Sequence, residues 1–266
     1  MKKWPTYFIP HGGGPCFFMD TPPGIPSDTW DEMAAFLRGI DADLGERPKA
    51  VIVISAHWMT PNPAIVVEEH PALYFDYYNF PPHTYELTYP TTTPKWLVDR
   101  LDELLSSEGY QVDKVSGRGL DHGVFVPFKL VYPDADVPLV QLSMPASDDA
   151  EEHLKFGRAL SALREEGVLI VGSGLSYHNL RDFYRTTDKP AAAPFDTWLN
   201  EAVMDTDARD DKLKTHQSAP GFTACHPTPE HLLPLMIAAG AAEGEAAEQV
   251  YSEVLLGAPN SGFRFG

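Results

Sequence analysis

Ten histidines stand against 20 lysines and arginines in this chain, and five of them occupy positions where chemistry is done. His11 follows the apolar Tyr7-Phe8-Ile9-Pro10 and precedes Gly12-Gly13-Gly14. His57 comes three residues after the β-branched run 50–54, by way of Ser55-Ala56. His178 ends "GSGLSYH", which itself follows an apolar run. His122 lies in the glycine-punctuated "GRGLDHG" and His231 in "PTPEHLLPL". An imidazole with a pKa near neutrality either ligates a metal or moves a proton. A single histidine at a loop usually satisfies local hydrogen bonds, but several at corresponding strand ends suggest a Zn(II) or Fe(II) site. The glycines after His11 strip the chain of side chains, as a tight turn or a close approach of ligand to backbone requires.

The elements that would position these residues are legible. The run 50–54 is apolar at every position, as strands covered on both faces of a parallel sheet are, and 137–143 and 168–172 are two more buried strands. A shorter strand is expected over 64–67 and another near Val112. Helices are expected over 27–39, with Ser27-Asp28 as N-cap; from Pro94, carrying Trp96, Leu97, Leu101, Leu104 and Leu105; over 148–166; and over 195–204. Residues 205–219 read as polar and irregular. Thr228-Pro229 reads as the N-cap and first position of a last helix, with His231 in its first turn. Alternating strands and helices predict an α/β fold, one domain over residues 1–266, with a mostly parallel central sheet flanked by helices. In such a sheet the carboxyl ends share one side, so His11, His57 and His178 converge on one crevice, which His231 joins from the far end of the chain. Residues 74–89, dense in tyrosine and phenylalanine and broken by proline, form neither helix nor strand.

Bulk composition narrows the function. A formal charge of -18 with 43% hydrophobic residues describes a soluble globular protein that avoids nucleic acid and anionic membrane, both of which need basic surface. The start Met1-Lys2-Lys3 leads into too short an apolar stretch for a secretory signal. No run approaches the roughly 18 apolar residues of a membrane span. With Cys16 and Cys225 as the only cysteines, far apart, a reducing cytoplasm is the expected compartment. "HGGG" is also an oxyanion-hole motif of esterases, but the G-x-S-x-G elbow it needs is missing. The dinucleotide fingerprint, the phosphate loop and H-E-x-x-H are missing as well.

Taken together, "HGGGP", "SAHW", "DHGVFVPFKLVYPDADVPLVQLSM", "GSGLSYHNL" and "PTPEHLLPL" resemble the class III extradiol ring-cleavage dioxygenases. The resembling branch is the stand-alone 4,5-DOPA dioxygenase type of the protocatechuate 4,5-dioxygenase β-subunit superfamily, with motifs in the same order from His11 to about Ala239. The resemblance implies a non-haem metal enzyme that inserts both atoms of O2 into a catechol-type ring, a DOPA-like one favoured, to give a muconic semialdehyde. It implies Fe(II) as the working metal, with Zn(II) often found in this branch, and no separate α subunit. It further implies His11 and His57 as two metal ligands and His231 as the third, with Glu230 the alternative. Of His122 and His178, one would act as base for a catechol hydroxyl and the other guide proton transfer, His178 alternatively serving as a fourth ligand when substrate is absent. Tyr177 and the aromatics of 74–89 are candidates to stack on the ring, and Arg181 to pair a substrate carboxylate; His226 receives no role. Two rivals use the same cluster: a zinc-dependent hydrolase, and a non-catalytic metal-binding relative. The retention of both His122 and His178 speaks against the second.

Overall fold

The fully apolar runs become the middle of an eight-stranded sheet because only a strand covered on both faces leaves no polar face to hydrate. The computed structural model describes residues 3–266. In chain order the elements are β1 (Thr6–Pro10), α1 (Asp31–Leu44), β2 (Ala50–Thr60), β3 (Ala64–Val66), α2 (Lys95–Ser107), β4 (Asp113–Val115), α3 (His122–Val131), β5 (Leu139–Pro145), α4 (Ala150–Leu160), β6 (Val168–Gly174), α5 (Leu180–Phe183), α6 (Ala192–Met204), α7 (Arg209–Lys214), α8 (Phe222–Cys225), α9 (Leu233–Ala241), β7 (Ala247–Leu255) and β8 (Ala258–Phe265). Strand order is β4-β3-β5-β2-β6-β1-β8-β7. The centre, β5-β2-β6-β1, is parallel throughout. It is bordered by the antiparallel β8 on one side and by β3, antiparallel to β5, on the other. The chain is therefore a single α/β domain with a mostly parallel sheet. No helix among the described residues is long and apolar enough to cross a membrane.

Side chains alternate across a strand, so β6 sorts its neighbours. Gly172 and Gly174 face α9, where an added Cβ would meet the carbonyls of Pro234 and His231 at 2.3 and 2.1 Å. Ser173 faces the opposite way and donates a hydrogen bond to the carbonyl of Gly123 in α3. The sheet is thus covered by α9 on one face and α3 on the other. Close approach recurs where α9 crosses α4: a Cβ on Gly240 would stand 2.1 Å from the Leu154 carbonyl, and one on Gly157 2.1 Å from that of Ile237. Gly240→Ala is expected to cost roughly 1–3 kcal/mol through overpacking and to lower Tm by roughly 2–4 °C per kcal/mol. Calorimetry of the variant checks this, and an unchanged Tm would contradict the crossing described.

Several boundaries differ from those read in the sequence. The first helix starts at Asp31 after an uncapped Trp30, not at Ser27-Asp28, and runs through Gly39 to a left-handed Gly45 (φ 68°). Gly39 is exposed with open space around it, so the helix absorbs its modest propensity cost. β2 does not break at Ser55 but continues to Thr60, with a register shift against β5 between Ile54 and Met59. The helix expected over 148–166 is α4 followed by a 3₁₀ segment, Ser161–Glu166. Thr228 is not a helix N-cap: Leu232 N bonds the Pro229 carbonyl to make one isolated turn, and α9 begins at Leu233 with Pro234 in its first turn. The stretch 205–219 carries α7, which buries Arg209 and Leu213. The β7–β8 hairpin was not legible, because its two-residue turn is Leu256-Gly257, both at positive φ (47° and 85°), without the Asn-Gly signal of such turns.

Candidate active site

His11 leaves the end of β1, and His57 stands in the part of β2 beyond its regular pairing. His178 follows β6, and His231 occupies the turn before α9. All four reach the carboxyl edge of the parallel strands. The side-chain nitrogens of His11, His57 and His231 lie within 4.8 Å of one another, with Nε2 of His11 and Nε2 of His57 3.1 Å apart.

Hydrogen bonds on Nδ1 turn the rings of His11 and His231 so that Nε2 faces the centre. Ser173 Oγ donates to the Gly123 carbonyl, so it can only accept from Nδ1 of His11, 3.1 Å away. That carbonyl is available because Pro127, four residues on in α3, has no N–H to offer it. Glu230 Oε1 accepts from Nδ1 of His231 at 3.0 Å. Asp76 Oδ1 accepts from both the backbone N–H and Nδ1 of His122, at 3.0 and 2.7 Å, and its Oδ2 lies 3.7 Å from Nδ1 of His57. The remaining nitrogens therefore present lone pairs.

Burial reinforces this. His11 is held neutral, its pKa well below the usual value through burial and then the neighbouring His231, His122 and His178. His57 is lowered in the same way by burial, His122 and His11. His231 falls to about 4 because burial outweighs the opposing Glu230. Burial works against ionising Glu230, yet hydrogen bonds from His178, His231 and Thr228 prevail and hold its carboxyl well below the ordinary range. Asp76 likewise stays ionised despite burial because His122 bonds to it.

The structure brings His231, rather than Glu230, to His11 and His57; Glu230 is turned to the outer nitrogen of His231. His122 stands beside His57 with ring centroids 4.0 Å apart. His178 does not add a nitrogen to the group of three but lies flat on His231, centroids 3.3 Å apart at 15°, with Nδ1 3.5 Å from Glu230. Tyr177 is buried in the wall of the cavity above the histidines. Arg181 is not brought to the site. It is exposed and outside that wall, because Leu180 and Phe183 share the cavity-facing side of α5 and position 181 projects about 100° away. The aromatic stretch divides: Tyr77, Tyr78 and Phe80 line the cavity, whereas Phe75 and Tyr85 pack on Tyr77. His226 is a buried post, its Nε2 on the Ser176 carbonyl and its ring stacked on Phe222.

The glycines after His11 answer to geometry. Gly12 (φ 76°) and Gly14 (φ 56°) take the left-handed conformation, and a Cβ on them would meet Cys16 Sγ at 2.4 Å and the Phe80 ring at 2.8 Å. Three functional side chains escaped sequence reasoning. Asp76 is hidden among the aromatics of 74–89, Ser173 stands just past the expected strand 168–172 in "GSG", and Asp121 reads as part of a glycine-rich loop. Asp121 is fully buried and accepts from Ser55 Oγ at 2.7 Å, from Gln141, and from Arg118 Nη2 at 3.1 Å. Arg118 also donates to the His57 carbonyl at 3.3 Å, so this network fixes the backbone of His57 to α3 and β5. The carboxylate beside a histidine in "LDHG" was the available signal for it.

Fold and site together define an α/β enzyme whose polar centre is a cluster of neutral imidazoles suited to a metal ion. The profile of the catalytic LigB subunit of aromatic ring-opening dioxygenase matches residues 5–264. The chain is 36% identical over 252 residues to the 4,5-DOPA dioxygenase extradiol of Beta vulgaris, covering 93% of this chain and 90% of that one. It is 38% identical over 269 residues to dioxygenase tasH of Hapsidospora irregularis, covering 95% and 82%. To the 4,5-DOPA dioxygenase extradiol of Escherichia coli K12 it is 34% identical over 248 residues, covering 91% and 87%. The crystal structure of an uncharacterized Escherichia coli K12 protein superposes with a TM-score of 0.78 at 29% identity, covering 99% of this chain and 100% of that one. The chain belongs to the LigB family, the class III extradiol ring-cleavage dioxygenases, which are metal-dependent enzymes.

Proposed function

We propose that this enzyme is an iron-dependent extradiol dioxygenase that opens a catechol ring with O2 to a muconic semialdehyde. His11, His57 and His231 would hold the metal, while His122 and His178 move protons. The observation that carries the reading is the set of three imidazoles, His11 and His231 buried and His57 half-buried, at the floor of an aromatic cavity, with Nδ1 of His11 and His231 bonded to Ser173 and Glu230 and Nδ1 of His57 facing Asp76. The donor set fits a metal: nitrogens bound at roughly 2.0–2.1 Å would lie about 3 Å apart, and the Nε2 atoms of His11 and His57 are 3.1 Å apart. An all-imidazole set suits Zn(II) as well as Fe(II), so iron is assigned on the reaction. When bound, Fe(II) supplies the one-electron chemistry that lets O2 react with a closed-shell ring.

The chain's own groups do the rest. His122, held by Asp76 with Nδ1 protonated, accepts a catechol hydroxyl proton at Nε2. His178, on the opposite side and aligned by Glu230, returns a proton to the opening ring. The aromatic wall keeps bulk water from competing. Several relatives bear the DOPA name, which makes a DOPA-like skeleton the first to try.

The test is to strip the metal, reconstitute anaerobically with Fe(II) or Zn(II), and add L-DOPA, protocatechuate or catechol in air. Expected are O2 uptake and a yellow product only with iron. Absence of O2 uptake with every catechol, while the zinc form cleaves a simple ester, would replace this reading with the zinc hydrolase.

A further inference from the structure

The cavity above the histidines, about 370 Å³ in volume, is small for an organic-ligand site and carries a chemical bias of its own. Its wall is built of the rings of Trp30, Tyr77, Phe80, Tyr177, Phe183 and Tyr184. Among the described residues, the formally charged side chain in the wall is a carboxylate, Asp76, and it is already engaged by His122. Asn260, on β8, also lines the cavity and is 1% exposed. Its Nδ2 donates to the Ala258 carbonyl at 3.1 Å, leaving Oδ1 buried without a partner. The other asparagine of the wall, Asn179, is occupied on both ends, by the Ala224 carbonyl and the Arg181 N–H. Asn260 Oδ1 is thus an unspent acceptor of the wall, beside the tyrosine hydroxyls that it also carries, and an unpaired buried acceptor favours a ligand that brings a donor. A carboxylate there would face an oxygen lone pair, aromatic faces and a carboxylate, in a medium that gives it no counter-charge.

We propose, resting on the ring-opening reading above, that the catechol this site accepts carries an uncharged substituent ending in a hydrogen-bond donor, such as an amide N–H, which pairs with Asn260 Oδ1. The substituent keeps the length of a DOPA side chain without its carboxylate. Leu180, 65% exposed at the mouth, extends the apolar path beyond the wall and makes room for a longer neutral group.

A matched pair tests this: 3-(3,4-dihydroxyphenyl)propanamide against 3-(3,4-dihydroxyphenyl)propanoic acid, with 4-methylcatechol as a control bearing neither group. With the Fe(II)-loaded enzyme, kcat/KM from O2 uptake is expected to favour the amide by about tenfold or more, as sites with a polar group to satisfy discriminate. Calorimetric titration of the Zn(II)-loaded protein without air should show the same order in Kd. Asn260→Leu should bring the amide-to-acid ratio close to one. Should that buried substitution fail to fold, Leu180→Lys at the exposed mouth should move the ratio several-fold toward the acid by supplying the missing cation. Turnover of 4-methylcatechol with the acid used as well as or better than the amide would overturn the proposal and leave ring opening intact. If none of the three compounds consumes O2, the ring-opening reading fails and this proposal falls with it.

Discussion

His231→Ala is expected to leave a folded protein that no longer retains a metal ion and consumes no O2, whereas Glu230→Gln should keep one metal per chain. The two residues are adjacent, and both offer metal-binding atoms, so the contrast depends entirely on how the turn before α9 is set. The His231 carbonyl accepts from Leu175 N at 2.9 Å, and no Cβ separates it from β6 at Gly174. That contact orients the turn so that the imidazole meets His11 and His57, and Glu230 takes the outer Nδ1. Glu230 then fixes ring orientation and raises ligand basicity. Loss of such an outer partner typically weakens metal affinity or activity about 10–100-fold. Metal analysis after dialysis against graded chelator, with O2 uptake alongside, reads both variants. Retention of metal by His231→Ala and its loss from Glu230→Gln would return the third ligand to the carboxylate.

The second large effect is catalytic and spares the metal. His122→Ala is expected to lower kcat by about 10²–10⁴-fold, the range for a positioned acid or base, with metal content unchanged. His122 sits at the first position of α3 and is anchored twice to one carboxylate oxygen of Asp76, through its backbone N–H and its Nδ1. Its Nε2 is therefore available on the cavity side. Asp76→Asn keeps the shape and removes the charge, and should lose less than His122→Ala. Single-turnover measurements with Fe(II)-loaded variants separate this from a binding effect. A change confined to KM, or metal lost with His122→Ala, would assign His122 to binding or to the metal instead.

Chain regions differed sharply in how much of this they announced. The central strands were readable because a strand buried on both faces admits almost nothing but apolar side chains, and Ala50 to Ile54 and Val168 to Ile170 obey that rule. His11, His57 and His178 were readable because each follows an apolar run, and His122 and His231 from the motifs around them. The extension of β2 past His57 was not, since Ser55 and His57 look like a loop until Asp121, Gln141 and Arg118 are seen to satisfy the polar groups around them. Nor was the β7–β8 hairpin, whose left-handed Leu256 is tolerated through contacts such as its carbonyl with Lys189. Arg181 illustrates the reverse error. It was a candidate to pair a substrate carboxylate, but a helical step of about 100° carries it to solvent.

By itself, then, the sequence determined the α/β class, the parallel core, the five histidines and the edge of the sheet to which four of them belong. These follow from hydrophobic period and from the shared direction of parallel strands, both local properties repeated along the chain. Tertiary structure alone decided which nitrogen of each imidazole faces inward, that His231 rather than Glu230 completes the trio, and that the wall presents an acceptor and aromatic rings in place of a cation. Those outcomes depend on partners far apart in the chain, such as Ser173 for His11, Asp76 for His122 and Asn260 for the cavity. Only the packing of α3 and α9 onto the sheet, and the pairing of β8 beside β1, bring these partners within hydrogen-bonding distance or into one wall.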